Sequence, residues 1–257
     1  MRYTEAPTRR TELLRRLALD GYVSSAELAS DLGVSEMTIR RDVRQLSAEG
    51  LVRRVVGGAT APGGLPFDER SRVEGALKRA IADACLPLLS SAGTIALDAG
   101  TTVAPLADLI APGSTIVSHS VPVISACTQR DDIDLIGVGG GYQPATRAFA
   151  GPATREGFES LAVDVAVLSA TAMDASGIFS ANALDAETKR VMASVAGTTI
   201  LLVDSSKLGA RAPIRVDGVG LVDVLVTDAF APAALLAELR AAGVSVVVAD
   251  AADGQNR

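Results

Sequence analysis

Apolar residues near the amino terminus recur at the spacing of short amphipathic helices. Leu13, Leu14 and Leu17 predict the inward face of a first helix over residues 8–20. A second helix is predicted over residues 26–32, because a Ser/Glu capping box precedes it and a glycine in a tight turn follows it. Together these helices predict one small core.

A third helix is predicted to begin after Ser35, whose hydroxyl can cap it. Ile39, Val43 and Leu46 recur at i, i+4 and i+7 and form its apolar face, so the charged residues between them point away from the core. Residues 51–55 then read as a short strand that turns at paired glycines. This order of elements predicts a winged helix-turn-helix.

The segment over residues 60–66 is rich in proline and glycine and marks a change in character along the chain. We therefore predict a winged helix-turn-helix domain over residues 1–59, a linker over residues 60–72 and a larger domain over residues 73–257. The chain is long enough for each domain to bury a core of its own.

Apolar segments alternate with helical segments throughout the larger domain. The predicted strands are residues 94–98, 114–117, 134–138, 163–168, 199–203, 222–226 and 244–248. The predicted helices are residues 73–89, 103–109, 122–128, 154–161, 183–196 and 232–242. Strands that are apolar nearly throughout and separated by helices predict a mostly parallel α/β sheet covered on both faces. Ligands of such sheets bind beyond the carboxyl ends of the strands.

The polar positions of the third helix are rich in arginine, which suits bidentate contacts with guanine edges and contacts with phosphates. A solvated basic face of a surface helix is the alternative explanation. The candidate DNA contacts on this helix are Ser35, Thr38, Arg40, Arg41, Arg44 and Gln45. Arg53 and Arg54 on the predicted wing are further candidates, and a charged strand edge that discourages aggregation is the alternative for them.

Charge is distributed unevenly along the chain. The formal net charge is −6, yet the first 60 residues carry a net charge of +2 and the remainder carries −8. The basic excess is therefore confined to the predicted winged helix-turn-helix. Because that excess is small, we expect specific contacts and dimerisation to carry the affinity for double-stranded DNA.

Several classes of protein are disfavoured by what the sequence lacks. Cys85 and Cys127 are isolated, and His119 is the single histidine, so a metal site, a disulfide and a Ser-His-Asp centre are not expected. The glycines at 139–141 do not fit the dinucleotide pattern, and we expect no cofactor. No apolar segment reaches the length of a membrane span, so we expect a cytoplasmic protein that makes no membrane contact.

Asp98, Gly100, Thr101 and Thr102 lie between a predicted strand and a predicted helix. Gly100 permits close approach of the backbone, the threonine hydroxyls donate hydrogen bonds, and the start of the following helix favours an anion. These residues are therefore a candidate phosphate cradle. A strand-to-helix turn with threonine as a cap is the alternative.

Further polar residues follow other predicted strands and could converge on the hydroxyls of a sugar. Lys207 would reach an anionic end, and Arg147 would pair with a phosphate or carboxylate. Glu187 and Lys189 are alternatively ordinary charges on a helix surface. The remaining candidate ligand-binding residues are Gly140, Gly141, Asp174, Glu187, Arg147 and Lys207.

Two sets of motifs resemble the DeoR family of bacterial transcription regulators. The first set is Ser35-x-x-Thr38-Ile39-Arg40-Arg41-Asp42-Val43 with Leu51-Val52-Arg53-Arg54 and Gly57-Gly58-Ala59. The second set is Asp98-Ala99-Gly100-Thr101-Thr102, Gly140-Gly141, Glu187 with Lys189-Arg190, and Asp204-Ser205-Ser206-Lys207. The resemblance covers nearly the whole chain.

The resemblance implies a DNA-binding regulator, usually a repressor, of genes for sugar or related carbon metabolism. It implies a sensor domain similar in fold to ribose-5-phosphate isomerase that binds a phosphorylated sugar, and an oligomer, dimer or tetramer, on operator DNA. We expect such a protein not to be an enzyme. The alternative is a sugar-phosphate isomerase-like enzyme with an appended DNA-binding domain, in which Asp98, Asp174 or Glu187 would act as a base.

Overall fold

The computed structural model describes residues 6–20, 22–49, 51–55, 57–60, 67–72 and 75–250. The first three helices are α1 (Ala6–Asp20), α2 (Ser25–Leu32) and α3 (Glu36–Ala48). Three short strands, β1 (Tyr22–Ser24), β2 (Arg53–Val55) and β3 (Gly58–Thr60), form an antiparallel sheet in the order β1-β3-β2. The predicted winged helix-turn-helix is confirmed, and β1 is a strand that the sequence analysis did not predict.

The turn between α2 and α3 has the local chemistry that its sequence predicts. Gly33 ends α2 in the left-handed region at φ 64°, where a side chain would be strained. Ser24 Oγ accepts a hydrogen bond from the Glu27 amide at 3.3 Å, and Ser35 Oγ accepts one from the Thr38 amide at 3.2 Å. The predicted helix ends at 21 and 50, and the boundary segment at 61–66, lie outside the described residues.

A buried ion pair accompanies the small apolar core of this domain. The core includes Leu13, Leu17, Leu28, Ile39, Val43, Leu46 and Val52. Beside it, Arg9 Nε of α1 lies 2.6 Å from Asp42 Oδ2 of α3, and both side chains are buried. Arg10 Nε lies 3.3 Å from the other oxygen of Asp42. Asp42 therefore fixes α1 to α3, so its role in the motif is structural.

Part of the segment predicted as a linker is helical. Helix α4 (Phe67–Arg72) precedes the first long helix of the larger domain, α5 (Gly75–Leu89). Phe67 is buried, with 6% of its surface exposed. An aromatic side chain removed from water in this way indicates that α4 packs against the protein.

A seven-stranded sheet in the order β15-β14-β12-β9-β4-β5-β6 is the centre of the larger domain. Every neighbouring pair in it is parallel. Its strands are β4 (Thr94–Leu97), β5 (Thr115–Ser118), β6 (Asp134–Gly137), β9 (Val163–Ser169), β12 (Ala196–Leu202), β14 (Val224–Thr227) and β15 (Ser245–Val248). These are the seven predicted strands, so the predicted α/β class is confirmed.

Helices cover both faces of this sheet and bury two separate apolar cores. They are α5, α6 (Val121–Cys127), α7 (Pro152–Glu159), α8 (Ala183–Ser194) and α9 (Ala233–Ala241). Short 3-10 helices span Ala104–Asp108, Ser205–Lys207 and Val219–Leu221. The helix predicted over residues 103–109 is therefore a 3-10 helix.

Two smaller sheets lie outside the predicted pattern. One is the hairpin of β7 (Gly141–Gln143) and β8 (Ala148–Ala150). The other contains β10 (Ala172–Asp174), β11 (Gly177–Ser180) and β13 (Ile214–Asp217) in the order β10-β11-β13. Most of their strands mix apolar residues with glycine or polar residues, so they lack the apolar runs by which the central strands were predicted.

The two cysteines are free and buried, Cys85 on α5 and Cys127 on α6. Burial raises the pKa of the Cys85 thiol to about 12, so this side chain packs as a small apolar group. Among the helices that the structure describes, none is long and apolar enough to cross a membrane.

Candidate functional site

Helix α3 presents a continuous stripe of side chains to solvent. Met37, Arg41 and Arg44 recur at i, i+4 and i+7, and all three are exposed. Within the described part of the chain, neither Arg41 nor Arg44 forms an ion pair, so both guanidinium groups keep their donors for a partner. The exposure of Met37, at 67%, places an apolar side chain at the amino-terminal end of this stripe. Met37 was not among the predicted DNA contacts.

The other predicted contacts on α3 are engaged in local hydrogen bonds. Arg40 Nη2 lies 2.6 Å from Glu36 Oε1, one helical turn earlier. Gln45 Nε2 donates to Glu49 Oε1 at 3.0 Å. Ser35 Oγ and Thr38 Oγ1 lie 2.8 Å apart at the helix start. These pairs are exposed, so a stronger acceptor such as a phosphate can replace their partners.

Arg53 and Arg54 lie on β2, an edge strand of the small sheet, and both are exposed. Successive strand residues point to opposite faces, so the two arginines project in different directions. Each face of the small sheet therefore carries only one of these two arginine side chains.

The carboxyl ends of the central strands surround a buried cluster of charged and polar groups. Asp98 follows β4 and is fully buried. Lys189 Nζ of α8 lies 2.7 Å from Asp98 Oδ2, and Ser169 donates to the same oxygen from its amide at 2.9 Å and its hydroxyl at 2.6 Å. His119 Nε2 lies 3.4 Å from Asp98 Oδ1. We call these four residues the Asp98 cluster.

The electrostatics of the Asp98 cluster favour the charged forms. Burial alone would raise the pKa of Asp98, but the Lys189 ammonium and the His119 hydrogen bond hold this pKa well below its ordinary value. Burial would lower the pKa of Lys189, and the carboxylates of Asp185 and Asp98 instead raise it. Both partners therefore stay ionised around neutral pH.

Asp185 extends this cluster along the first turn of α8. Its amide donates to Asn182 Oδ1 at 2.9 Å, which caps the helix, and its carboxylate accepts from Lys189 Nζ at 2.9 Å. Ser180 donates to the second carboxylate oxygen. Asp185 and Lys189 are spaced i, i+4, which predicts an ion pair, but no sequence pattern predicts that the lysine is buried.

The loop between β4 and the following 3-10 helix passes very close to β9. A Cβ on Gly100 would lie 2.2 Å from the Ser169 side chain, so only glycine fits there. Thr101 and Thr102 are buried. The predicted cradle thus lies against the Asp98 cluster, at the edge of the sheet where ligands of parallel sheets bind.

A narrow cleft opens above this cluster. It is lined by His119, Gln143, Thr146, Ala148, Phe149, Ala150, Asn182, Asp185 and Thr188. The β7–β8 hairpin forms one wall, with Arg147 at its turn in the left-handed region at φ 52°. His119 Nδ1 lies 2.7 Å from the Phe149 carbonyl oxygen, so both ring nitrogens of His119 have partners.

Other predicted ligand residues lie apart from the Asp98 cluster. Asp174 is on β10, where burial would raise its pKa but hydrogen bonds from Ser176 and Arg211 lower it to about 2. Arg155 Nε lies 3.7 Å from Glu187, which is half-exposed. The structure therefore does not bring these two acids together.

The other predicted ligand-binding residues, Lys207 and the pair Gly140 and Gly141, make close contacts within the protein. Lys207 Nζ lies 2.7 Å from the buried Asp204. Gly140 packs so tightly that an added Cβ would lie 2.1 Å from Thr154 Oγ1, and the adjacent Gly141 begins β7. The glycine pair therefore shapes the base of the hairpin.

Several residues near the predicted site were not among the candidate ligand-binding residues. They are Ser169, Asp185, Lys189, Asn182, Lys78 and Arg70. Lys78 is 4% exposed although it lies on a helix, and its charge helps lower the pKa of Asp204. No group of three or more His, Cys, Asp or Glu suited to a metal ion occurs in the described residues.

This combination defines a class of protein. A winged helix-turn-helix with an exposed arginine stripe, joined to an α/β domain with a polar cleft, is typical of a DNA-binding protein that responds to a small molecule. Protein-family models match both the amino-terminal and the larger domain. The DeoR-like helix-turn-helix domain matches residues 9–63, and the DeoR C terminal sensor domain matches residues 74–229. The chain belongs to the DeoR family and is a transcriptional regulator.

Relatives along nearly the whole chain carry names of the same kind. The chain is 32% identical to the transcriptional regulator GlpR of Haloferax volcanii, over 94% of this chain and 97% of the relative. It is 31% identical to the L-fucose operon activator of Haemophilus influenzae, over 86% of this chain and 91% of that relative. It is 27% identical to the glycerol-3-phosphate regulon repressor of Escherichia coli K12, over 89% of this chain and 93% of that relative.

Solved structures of ribose-5-phosphate isomerases also align with part of the chain. A D-ribose-5-phosphate isomerase in complex with phospho-erythronic acid shares 20% identity, over 56% of this chain and 55% of the isomerase chain, with a TM-score of 0.36. An overlap of this extent carries no functional argument. The fold assignment depends on the strand order described above.

Proposed function

We propose that the protein is a cytoplasmic repressor of genes for sugar or related carbon metabolism, that it binds operator DNA through α3, and that a phosphorylated sugar controls this binding. The free arginine stripe of α3 is the observation that carries the DNA-binding part. The names of the relatives support the metabolic part, since they refer to a fucose operon and a glycerol-3-phosphate regulon.

The proposed DNA contacts divide into two groups. Arg41 and Arg44 read base edges or phosphates directly, because their donors are free of acidic partners within the described residues. Ser35, Thr38, Arg40, Gln45, Arg53 and Arg54 make the surrounding contacts, chiefly with the backbone, after exchange of their present hydrogen bonds.

For the effector, we propose the region between the Gly100–Thr102 loop and α8. The polar groups there are Asp98, Thr101, Thr102, His119, Asp185 and Lys189. The loop glycine brings its backbone close to the site, and the positive charge of Lys189 is balanced by two carboxylates. Such a site suits the hydroxyl groups of a sugar, while Lys207 and Arg147 remain the proposed contacts for its anionic group.

We further propose that the protein is not an enzyme. Two of the acids named as a base, Asp98 and Asp174, have their pKa lowered by their cationic and hydrogen-bonding neighbours, and Glu187 lies 3.7 Å from Arg155 Nε. A carboxylate with a lowered pKa is a weaker general base near neutral pH. Turnover of a pentose or hexose phosphate that Glu187→Gln abolishes would contradict this part.

The function is tested by a mobility shift on the DNA upstream of the gene that encodes the protein. The probes are ribose 5-phosphate, glucose 6-phosphate, glycerol 3-phosphate and inorganic phosphate. Release of the DNA by one sugar phosphate is the expected result. Binding that no member of the panel alters would refute the proposed effector class and leave the DNA-binding part intact.

Arg41→Ala and Arg44→Ala are each expected to weaken specific DNA binding by about 1–3 kcal/mol, the usual loss for a base contact. Fluorescence anisotropy with operator and unrelated DNA measures this loss. Arg79→Ala is the matched control, because Arg79 is exposed on α5 and pairs with the exposed Asp83 at 3.3 Å. Unchanged affinity in both variants, with an unchanged circular dichroism spectrum, would remove α3 from the DNA interface.

A further inference from the structure

Helix α4 carries Arg70 in the segment between the domains. The guanidinium of Arg70 lies 5.9 Å from the ring centroid of the buried Phe67 on the same helix. Lys78 of α5 donates a hydrogen bond from Nζ to the backbone carbonyl of Arg70. Through this bond, the larger domain holds the backbone of α4 at the position of Arg70.

Arg70 faces the acidic groups of the Asp98 cluster and its extension. Burial lowers the pKa of the Arg70 guanidinium, and the carboxylates of Asp185 and Asp98 partly offset this effect. The side chain therefore lies in the field of the same two acids that hold Lys189. Arg70 therefore lies within electrostatic range of Asp98 and Asp185, two of the polar groups of the proposed effector site.

These acids nevertheless do not accept a hydrogen bond from Arg70. The Asp98 oxygens are occupied by Lys189, Ser169 and His119. Those of Asp185 are occupied by Lys189 and Ser180. Arg70 Nε is buried and has no hydrogen-bond acceptor among the described residues. A buried charged donor in this state is costly unless a further acceptor reaches it.

We propose that an oxygen of the bound effector supplies this acceptor, so that Arg70 ties α4 to the occupied sensor site. The inference rests on the proposed function, because it assigns one further contact of the same effector. A hydroxyl or phosphate oxygen fits the position equally, since each accepts a hydrogen bond from a guanidinium. Occupancy of the site is then converted into a fixed position of α4.

The position of α4 matters because it lies between the wing and the sensor domain. Strand β3 ends at Thr60 and α4 begins at Phe67, so little chain separates them. In addition, α1 of the DNA-binding domain packs against α8, the helix that carries Asp185 and Lys189. The chain from β3 to α4 and the packing of α1 on α8 therefore both connect the DNA-binding domain to residues near Asp98. A ligand held by Arg70 would change the arrangement of the two domains that binds DNA.

Hydrogen exchange of α4, measured by mass spectrometry, tests the proposal. The probes are ribose 5-phosphate, glycerol 3-phosphate and inorganic phosphate, added to the full-length protein. In the wild type, a probe is expected to slow exchange over residues 67–72 by about tenfold, as one hydrogen bond from a charged donor would. Protection by inorganic phosphate assigns a phosphate oxygen, and protection by sugar phosphates alone assigns a hydroxyl.

Arg70→Ala is expected to abolish this protection, and Arg79→Ala is expected to retain it. Arg70→Lys provides a second test if the alanine variant folds poorly. Lysine keeps the charge but has no Nε–H at this position, so protection is lost here too. Equal protection in the wild type and both Arg70 variants, or no protection of the wild type by any probe, would overturn the inference.

The DNA assay separates this inference from the proposed function. If a sugar phosphate releases the wild type and Arg70→Ala at the same concentration, the function stands and the role of Arg70 is refuted. If Arg70→Ala needs about tenfold more of that sugar phosphate, both are supported. If no sugar phosphate releases the wild type, the proposed function fails, and the exchange of residues 67–72 still decides the inference.

Discussion

Lys189 shows how far burial can change the meaning of a single residue. In the sequence it is one of several charges on a predicted helix, and its surface position was an open alternative. In the structure it is 2% exposed and joins Asp98 to Asp185. The difference arises because α8 lies across the strand ends, a placement that depends on residues far away in the chain.

Lys189→Met is expected to destabilise the protein by about 3–5 kcal/mol, because it leaves the buried Asp98 and the partly buried Asp185 without their shared cation. Urea unfolding followed by circular dichroism measures this loss. The matched control is Arg240→Met, which removes an exposed cation from α9. The double variant Lys189→Met with Asp98→Asn is expected to lose less than the sum of the single variants. A loss below about 1 kcal/mol for Lys189→Met would show that the ion pair contributes little.

At the level of elements, the sequence contained most of the architecture. Each strand of the central sheet is an apolar run bounded by polar residues, so all seven could be found without a structure. The hairpin of β7 and β8 was missed, since strands of three residues show no period. That omission matters for the site, because this hairpin forms a wall of the cleft.

The candidate site was predicted in part for the same reason. Residues 98–102 follow a recognisable strand, so their location could be deduced from local sequence. Ser169 and Arg70 could not be found in this way, since the first ends another strand and the second lies in a segment read as a linker. The hydrogen bonds of Ser169 to Asp98, and the position of Arg70 in the field of Asp98 and Asp185, come from tertiary packing alone.

The pairing of α1 with α3 gives a prediction at this scale. Asp42→Ala leaves the buried Arg9 without its carboxylate, and is expected to release α1 at a cost of about 3–5 kcal/mol. Faster hydrogen exchange of α1, together with weaker operator binding, is the expected measurement. Glu49→Ala is the control, because it removes an exposed partner of Gln45 just after the end of α3. Unchanged exchange in α1 would mean that the apolar core holds this helix without the ion pair.

For the whole molecule, the distribution of charge bears on assembly. The net charge of the first 60 residues is +2, which supplies little general attraction to DNA. Two such domains on paired half-sites would bind with the combined affinity that one lacks. We therefore predict at least a dimer in analytical ultracentrifugation at the concentrations that bind operator DNA. A monomer that binds operator with full affinity would contradict this prediction.

The contact between α1 and α8 has a consequence for protein engineering. Because α1 is paired with α3 and also packs on α8, the helix that carries Lys189, the two halves are not independent modules. A chimera that grafts a foreign sensor onto residues 1–59 would keep its choice of operator. It would respond to the new metabolite only if the α8 surface facing α1 were transplanted with it.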